Sequence, residues 1–296
     1  LILAAIDIGS NAARLLISDV TPYEKGTVDY TKLTLLRIPL RLGFEVFEKG
    51  VISDEKAKQL IDSMKAYKLL MDIYKVEGYR ACATSAMRDA KNGQQIIKQV
   101  FAETGILIEI IAGQEEANII YETHIAENLS AGKSYLYIDV GGGSTEVTLF
   151  ADSKIIFKES FNIGTIRLLN KSVTEEQWNH MKWHIKSHTS RYQPLVAIGS
   201  GGNINKIFSI SKKKEGKPLS LELLKDYYRE LSASTVAERM HLYQFRADRA
   251  DVIVPALEIF IAIMRWSNAS EIYVPRIGLA DGLIKMQYAE KVRLEQ

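Results

Sequence analysis

The chain is short of cysteine, of long apolar runs and of net charge, and each shortage excludes a class of protein. Cys82 is the single cysteine in 296 residues, which leaves no intrachain disulfide framework and no cysteine-based zinc site. Its surroundings, Gly78-Tyr79-Arg80-Ala81-Cys82-Ala83-Thr84, read as a strand and predict a buried structural thiol rather than a reactive one. No apolar run approaches the roughly 20 residues that span a bilayer, so no membrane partner is expected. The stretch Leu1–Ile6 lacks a basic flank and a cleavage site, so a signal peptide is not expected and the cytoplasm is the expected location. Lys and Arg total 38 against 36 Asp and Glu, for a net charge of +2, a balance that argues against a dedicated nucleic-acid binder.

What is present is ordinary in bulk and repetitive in detail. The 47% hydrophobic and 25% charged content is that of a globular protein, and the length suits two domains. Ile6-Asp7-Ile8-Gly9-Ser10-Asn11-Ala12-Ala13-Arg14 runs into an apolar stretch, and so does Ile138-Asp139-Val140-Gly141-Gly142-Gly143-Ser144-Thr145-Glu146. Each copy is an apolar strand ending in Asp, a glycine-containing turn and a second β-rich run, with an ionisable residue seven positions after the Asp. Strands are predicted near 2–8, 14–20 and 32–40, then a helix over 53–76 with Ser53 as N-cap and Asp54 and Glu55 in its first turn. A strand near 79–84, a helix over 88–103, a strand near 106–111 and a helix from Gln114 to Asn128 complete the first half. The second half restarts with strands near 134–140, 145–151 and 154–161. Helical sequence then runs to Tyr192, and a strand at 195–198 enters Gly199-Ser200-Gly201-Gly202. Helices fill most of 219–267, a short strand covers 271–274 and a last helix starts near Leu279. The run Lys212-Lys213-Lys214 reads as a solvated loop.

The hairpins carry the chemistry. Consecutive glycines at 141–143, followed by Ser144 and Thr145, let backbone N–H groups converge on an anion, as Gly9, Ser10 and Asn11 do in the first copy. Asp139 and Glu146, with Asp7 in the first copy, are candidate ligands, direct or through water, for a hard divalent ion such as Mg²⁺. Arg14 occupies the position that Glu146 holds in the second copy, so one hairpin presents a cation where the other presents a carboxylate. Arg88 follows a strand end, where open α/β sheets place ligands, and is a candidate phosphate contact. Glu115 and Glu116 open a helix after Gly113. Adjacent helical residues point about 100° apart, so one of the two faces a site, where a carboxylate can deprotonate an attacking water.

A duplicated βββαβα unit is the architecture of the actin, sugar-kinase and Hsp70 group. The expected fold is therefore α/β, with two duplicated actin-like (ribonuclease H-like) domains around a central cleft, over 1–127 and 128–296, the last helix packing back on the first domain. The motifs Asp7-Ile8-Gly9-Ser10-Asn11, Ala83-Thr84-Ser85-Ala86-Met87-Arg88, Gly113-Gln114-Glu115-Glu116-Ala117 and Asp139-Val140-Gly141-Gly142-Gly143-Ser144-Thr145-Glu146 occur in one order. Together with Arg249-Ala250-Asp251-Val252-Ile253-Val254-Pro255 and Gly278-Leu279-Ala280-Asp281-Gly282-Leu283, they resemble the exopolyphosphatase/guanosine pentaphosphate phosphatase family, in its short two-domain branch. The resemblance implies hydrolysis of the terminal phosphoanhydride of inorganic polyphosphate or of a guanosine penta- or tetraphosphate, with Mg²⁺. It implies Glu116 as catalytic base, Gly9–Asn11 and Gly141–Thr145 as phosphate loops, and a phosphate-binding turn that includes Gly201. Two segments depart from the family pattern: Leu42-Gly43-Phe44-Glu45 stands where LGEG is usual, and Gly199-Ser200-Gly201-Gly202-Asn203 replaces G-[ST]-x-x-[ST]. The alternatives are an ATP-dependent small-molecule kinase of the same superfold and a non-catalytic polyphosphate or (p)ppGpp sensor. A homodimer is the default assembly.

Overall fold

The computed structural model describes residues 1–23, 27–113, 115–116, 119, 134–151, 154–275 and 278–294. The chain forms two compact units, Leu1–Thr123 with Gly278–Gln296, and His124–Ile277. The expected boundary at 127/128 and most of the expected helix from Gln114 to Asn128 lie outside the described residues. Among the described residues no helix is long and apolar enough to cross a membrane.

The first unit holds a five-stranded sheet of β1 (Ile2–Ile8), β2 (Ala13–Pro22), β3 (Val28–Ile38), β4 (Gly78–Ala83) and β5 (Ile108–Ile110), in the order β3-β2-β1-β4-β5. The central strand β1 is antiparallel to β2 and parallel to β4. Its sequence Ile-Leu-Ala-Ala-Ile-Asp-Ile is apolar on both faces, as a strand covered on both sides must be. Successive side chains point to opposite faces. Ala4, Ile6 and Ile8 therefore enter a core with α1 (Leu42–Lys49), α2 (Asp54–Ile73), α3 (Ser85–Asp89) and α4 (Gly93–Thr104). Leu3 and Ala5 face the other way, onto Leu279, Leu283 and Ile284 of the C-terminal helix Leu279–Leu294.

Local chemistry sets the helix ends. Ser53 caps α2, its side chain accepting from Lys56 N–H, and Glu45 in turn accepts from both the N–H and the hydroxyl of Ser53. Glu45, in the segment that departs from the family pattern, thus ties α1 to the start of α2. The helix expected over 88–103 is two helices. Asn92 breaks it by holding the N–H and C=O of Ile52 through its amide. Gly93 then packs so tightly that a Cβ would lie 2.3 Å from Met87 O. Helix α1 has no counterpart among the sequence expectations.

The second unit holds a six-stranded sheet of β6 (Ser134–Val140), β7 (Thr145–Ala151), β8 (Lys154–Phe161), β9 (Leu195–Ser200), β10 (Leu219–Ser220) and β11 (Glu271–Tyr273), ordered β10-β11-β9-β6-β7-β8. Strand β6 repeats the arrangement of β1, antiparallel to the next strand and parallel to a later one, β9. Its helices are α5 (Thr165–Leu169), α6 (Glu175–Thr189), α7 (Gly202–Ile210), α8 (Leu221–Ala233), α9 (Val236–Tyr243), α10 (Ala247–Ala250) and α11 (Ile253–Ser267). Helix α11, apolar around most of its circumference, is the centre of this core: Ile253, Leu257, Phe260, Ile263 and Met264 are all buried. Lys212, Lys213 and Lys214 are exposed, the solvated loop the sequence predicts.

Candidate active site

In the first unit the hairpin places Asp7 and Arg14 directly opposite each other on β1 and β2. Arg14 Nη1 donates to Asp7 Oδ2 at 3.0 Å. Asp7 is buried, and burial raises its pKa; the charge and hydrogen bond of Arg14 pull it back down without cancelling the rise. The turn between them closes through Gly9 N–H on Ala12 O at 3.0 Å. Its outer carbonyls are drawn toward α1: Ser10 O accepts from Gly43 N–H and Asn11 O from Arg41 N–H. A trans peptide points its C=O and N–H in opposite directions, so the N–H groups of Asn11 and Ala12 face away from α1. The Ser10 hydroxyl bonds the Ser85 hydroxyl at 2.8 Å in the interior, which ties the first loop to the start of α3.

Arg88 sits in α3, just past the end of β4, where Nη1 donates to Ile111 O at 3.0 Å and Nε lies 3.8 Å from Asp89 Oδ1. It therefore braces the strand end from which the Gly113 helix departs. In that helix Glu116 N–H bonds Ala112 O at 2.9 Å. The tandem glutamates diverge as their spacing requires: Glu115 is exposed and Glu116 half-buried.

The second unit repeats the loop device with stronger constraints. Gly141 N–H closes the turn on Ser144 O at 2.9 Å. Gly141 O accepts from Thr165 N–H, Gly142 O from Ile166 N–H, and Gly143 O from Arg167 Nε at 2.7 Å. All three carbonyls point toward the start of α5, so the N–H groups of Gly142, Gly143 and Ser144 point away from it as a row, which is the geometry of an anion nest. The Thr145 hydroxyl is fully buried and donates to Ile163 O at 2.6 Å, so it locks the hairpin from within.

Asp139 and Glu146 are cross-strand partners, and their carboxylate oxygens come within 4.8 Å of each other. Glu146 is buried and accepts from Ser160 Oγ at 2.8 Å. Two carboxylates this close, one of them out of water, repel unless a cation or proton stands with them, and an all-oxygen donor set suits a hard ion such as Mg²⁺. The pair fits a divalent ion. The third expected ligand, Asp7, has Oδ2 taken by Arg14 in the first unit.

Gly201 acts by making room. Its φ is +102°, and a Cβ there would lie 2.9 Å from Asp139 Oδ1 and 3.0 Å from Val140 O. The residue expected in a phosphate turn is thus the one that lets the Asp139 carboxylate sit where it does. Three residues that build the site, Gly164, Arg167 and Ser85, are not among those the sequence singles out. Their visible signals were a glycine opening Gly164-Thr165-Ile166-Arg167 after a strand, and a serine inside a motif already singled out for Arg88.

The comparisons with known proteins bear on this geometry. A sequence model of the Ppx/GppA phosphatase family matches residues 23–290. The chain is 35% identical over 172 residues to a bifunctional 3-dehydroquinate synthase/phosphatase of Fusobacterium nucleatum, covering 57% of this chain and 26% of that one. It is 33% identical to exopolyphosphatase 2 of Mycobacterium tuberculosis, over 57% of this chain and 54% of that protein. The chain thus spans about a quarter and about half of the length of these two relatives. Among solved structures, a Ppx/GppA family member from Aquifex aeolicus superposes with a TM-score of 0.75 at 25% identity, covering 98% of both chains. An exopolyphosphatase from Cytophaga hutchinsonii gives 0.83 at 24% identity, again over 98% of both. In fold, the two units are therefore the paired domains of an actin-like ATPase architecture.

Proposed function

Because the chain belongs to the Ppx/GppA phosphatase family, we propose that it hydrolyses the terminal phosphoanhydride of inorganic polyphosphate, of guanosine pentaphosphate, or of both. The observation that carries this reading is the Gly141–Ser144 turn. Its carbonyls are pinned to α5, its N–H row faces the other way, and a close carboxylate pair stands at its base. Donors fixed in advance toward an anion stabilise developing phosphoryl charge without reorganising during the reaction.

In this reading Gly142, Gly143 and Ser144 of the second unit, and Asn11 and Ala12 of the first, bind phosphate oxygens through main-chain N–H groups. Arg14 and Arg88 add positive charge. Arg14 does so while its Nη1 remains on Asp7, which fixes the direction of the guanidinium. Asp139 and Glu146 would hold Mg²⁺, which supplies charge neutralisation for the phosphate chain. Glu116 accepts a proton from water as the water oxygen attacks the terminal phosphorus and the bridging P–O bond breaks toward the shortened chain.

The test is release of inorganic phosphate from long polyphosphate, short polyphosphate and guanosine pentaphosphate, measured side by side with and without Mg²⁺. Release from at least one of them, lost on removing divalent ions, is the expected result. ADP formation with a small-molecule acceptor and no phosphate from any of the three would select a kinase. Tight binding with no release over hours would select a sensor.

A further inference from the structure

Three of the chain's five histidines lie on one helix at a spacing of four: His180, His184 and His188 of α6. At 3.6 residues per turn, such positions form a row along one face. The ring centroids of His180 and His184 are 4.3 Å apart, and those of His184 and His188 5.9 Å. Strand β8 holds the row from behind: Phe157 stacks on His188 at 4.4 Å and Phe161 meets His180 edge-on at 5.9 Å. Trp183 stands edge-on to His184 at 4.8 Å.

Imidazoles packed this closely are compatible with one another when neutral. Burial, and then the charge of His180, hold the pKa of His184 below its ordinary value; His188 adds to this, and Glu159 on β8 opposes it. His188 Nδ1 lies 2.8 Å from the His184 carbonyl oxygen; as the donor there, it leaves Nε2 with its lone pair. Nδ1 of His184 is buried without a hydrogen-bond partner among the described residues. The face thus carries imidazole nitrogens that the protein itself only partly engages. Two histidines at i and i+4 on a helix reach a single ion at the roughly 2.0–2.1 Å that zinc–imidazole bonds need.

We propose that His180 and His184 chelate a borderline divalent transition ion of the Zn²⁺, Ni²⁺ or Cu²⁺ type, with water completing the coordination. Imidazole nitrogen selects these ions over Mg²⁺, so the site is chemically distinct from the Asp139–Glu146 carboxylate pair and stands independently of the hydrolase reading. Trp183 provides a built-in reporter, since a paramagnetic ion bound beside His184 quenches indole emission.

The test uses the untagged full chain in excess Mg²⁺. Zn²⁺ binding is followed by calorimetry, and Cu²⁺ binding by tryptophan fluorescence. One equivalent of Zn²⁺ is expected to bind, with affinity falling about tenfold or more in His180→Ala and in His184→Gln. Asp139→Asn is expected to leave that affinity unchanged, and Trp183→Phe to remove most of the Cu²⁺ quenching. His180 is exposed, so its replacement leaves the core intact and remains informative if His184→Gln fails to fold. Unchanged Zn²⁺ affinity in His180→Ala, no binding at all, or loss of binding in Asp139→Asn would each overturn the proposal.

Discussion

Gly164 presses against the backbone of Gly142 so closely that a single added methyl group would lie 2.5 Å from the Gly142 carbonyl oxygen and 2.6 Å from the carbonyl carbons of Gly142 and Gly143. The obstacle is main chain, which cannot rotate aside as a side-chain tip does. Gly164→Ala must therefore displace either the start of α5 or the glycine turn that α5 holds by its carbonyls. The expected cost is about 1–3 kcal/mol of stability, the range for overpacking a filled site. The accompanying loss in kcat/KM is expected to exceed what the stability change explains, because the N–H row moves with the turn. Gly278→Ala, where a Cβ meets nothing within 4 Å among the described residues, is the control. Equal melting temperatures and equal kcat/KM for the two variants would show that the contact does not position the turn.

Asp7 makes a prediction with a definite sign. Its pKa in the fold lies above the 3.8 of an ordinary aspartate, chiefly through burial, with Arg14 opposing. The native state therefore holds this proton more tightly than the unfolded chain does. The stability it contributes is fully present below 3.8 and is lost as pH rises through the folded value. In urea melts at a series of pH values, Asp7→Asn lacks this titration. The stability of the variant relative to the parent is therefore expected to rise as pH increases upward from 3.8. A flat difference would mean that Arg14 cancels the effect of burial, and one that falls that Arg14 outweighs it; either would overturn the prediction.

The pattern that was legible in the sequence is the one that depends on short range. The strand–turn–strand repeat with ionisable residues seven apart is read directly from the sequence, and the hairpin register then sets Asp7 opposite Arg14 and Asp139 opposite Glu146. Ser53 as N-cap followed from its place before two acids. Helix α1 and the device it shares with α5 were not legible, because the bonds from Gly43 and Arg41 to the first loop, and from Thr165 and Ile166 to the second, join residues 24–33 positions apart. Gly201 shows the same limit from the other side. Its sequence context suggests an anion turn, while the space it leaves is occupied by Asp139, whose proximity only the sheet register reveals.

Cys82 is fully buried in β4, and its thiol is pushed up from 9.0 to about 12, by burial first and then by Glu109, with Arg80 pulling the other way. Thiolate is the reactive form, so the folded protein at pH 8 is expected to resist a thiol-specific disulfide reagent for hours and to react at once, with one equivalent, in denaturant. A raised thiol pKa also means that the stability it contributes is present below 9.0 and lost as pH rises toward 12, so Cys82→Ala is expected to flatten the alkaline limb of the stability curve. Rapid labelling under native conditions would contradict the buried structural role of this residue.

Glu116 separates binding from turnover. The phosphate-holding groups of the proposal are main-chain N–H groups and arginines, and none of them is altered by Glu116→Gln. The amide keeps the size of the side chain and its hydrogen-bonding reach but cannot take up a proton. Loss of general-base catalysis is expected to lower kcat by about 10²–10⁴-fold, while the Kd for polyphosphate, measured by calorimetry with Mg²⁺ present, stays within a few fold of the parent. Glu115→Gln is the matched comparison, because the adjacent residue points about 100° away around the helix and is exposed. Glu115→Gln is expected to retain most of the activity. If Glu115→Gln were the inactive variant and Glu116→Gln the active one, the base would be the other member of the pair. If both kept full activity, the proton from water would go to a group outside this helix, and the assignment of Glu116 would fall.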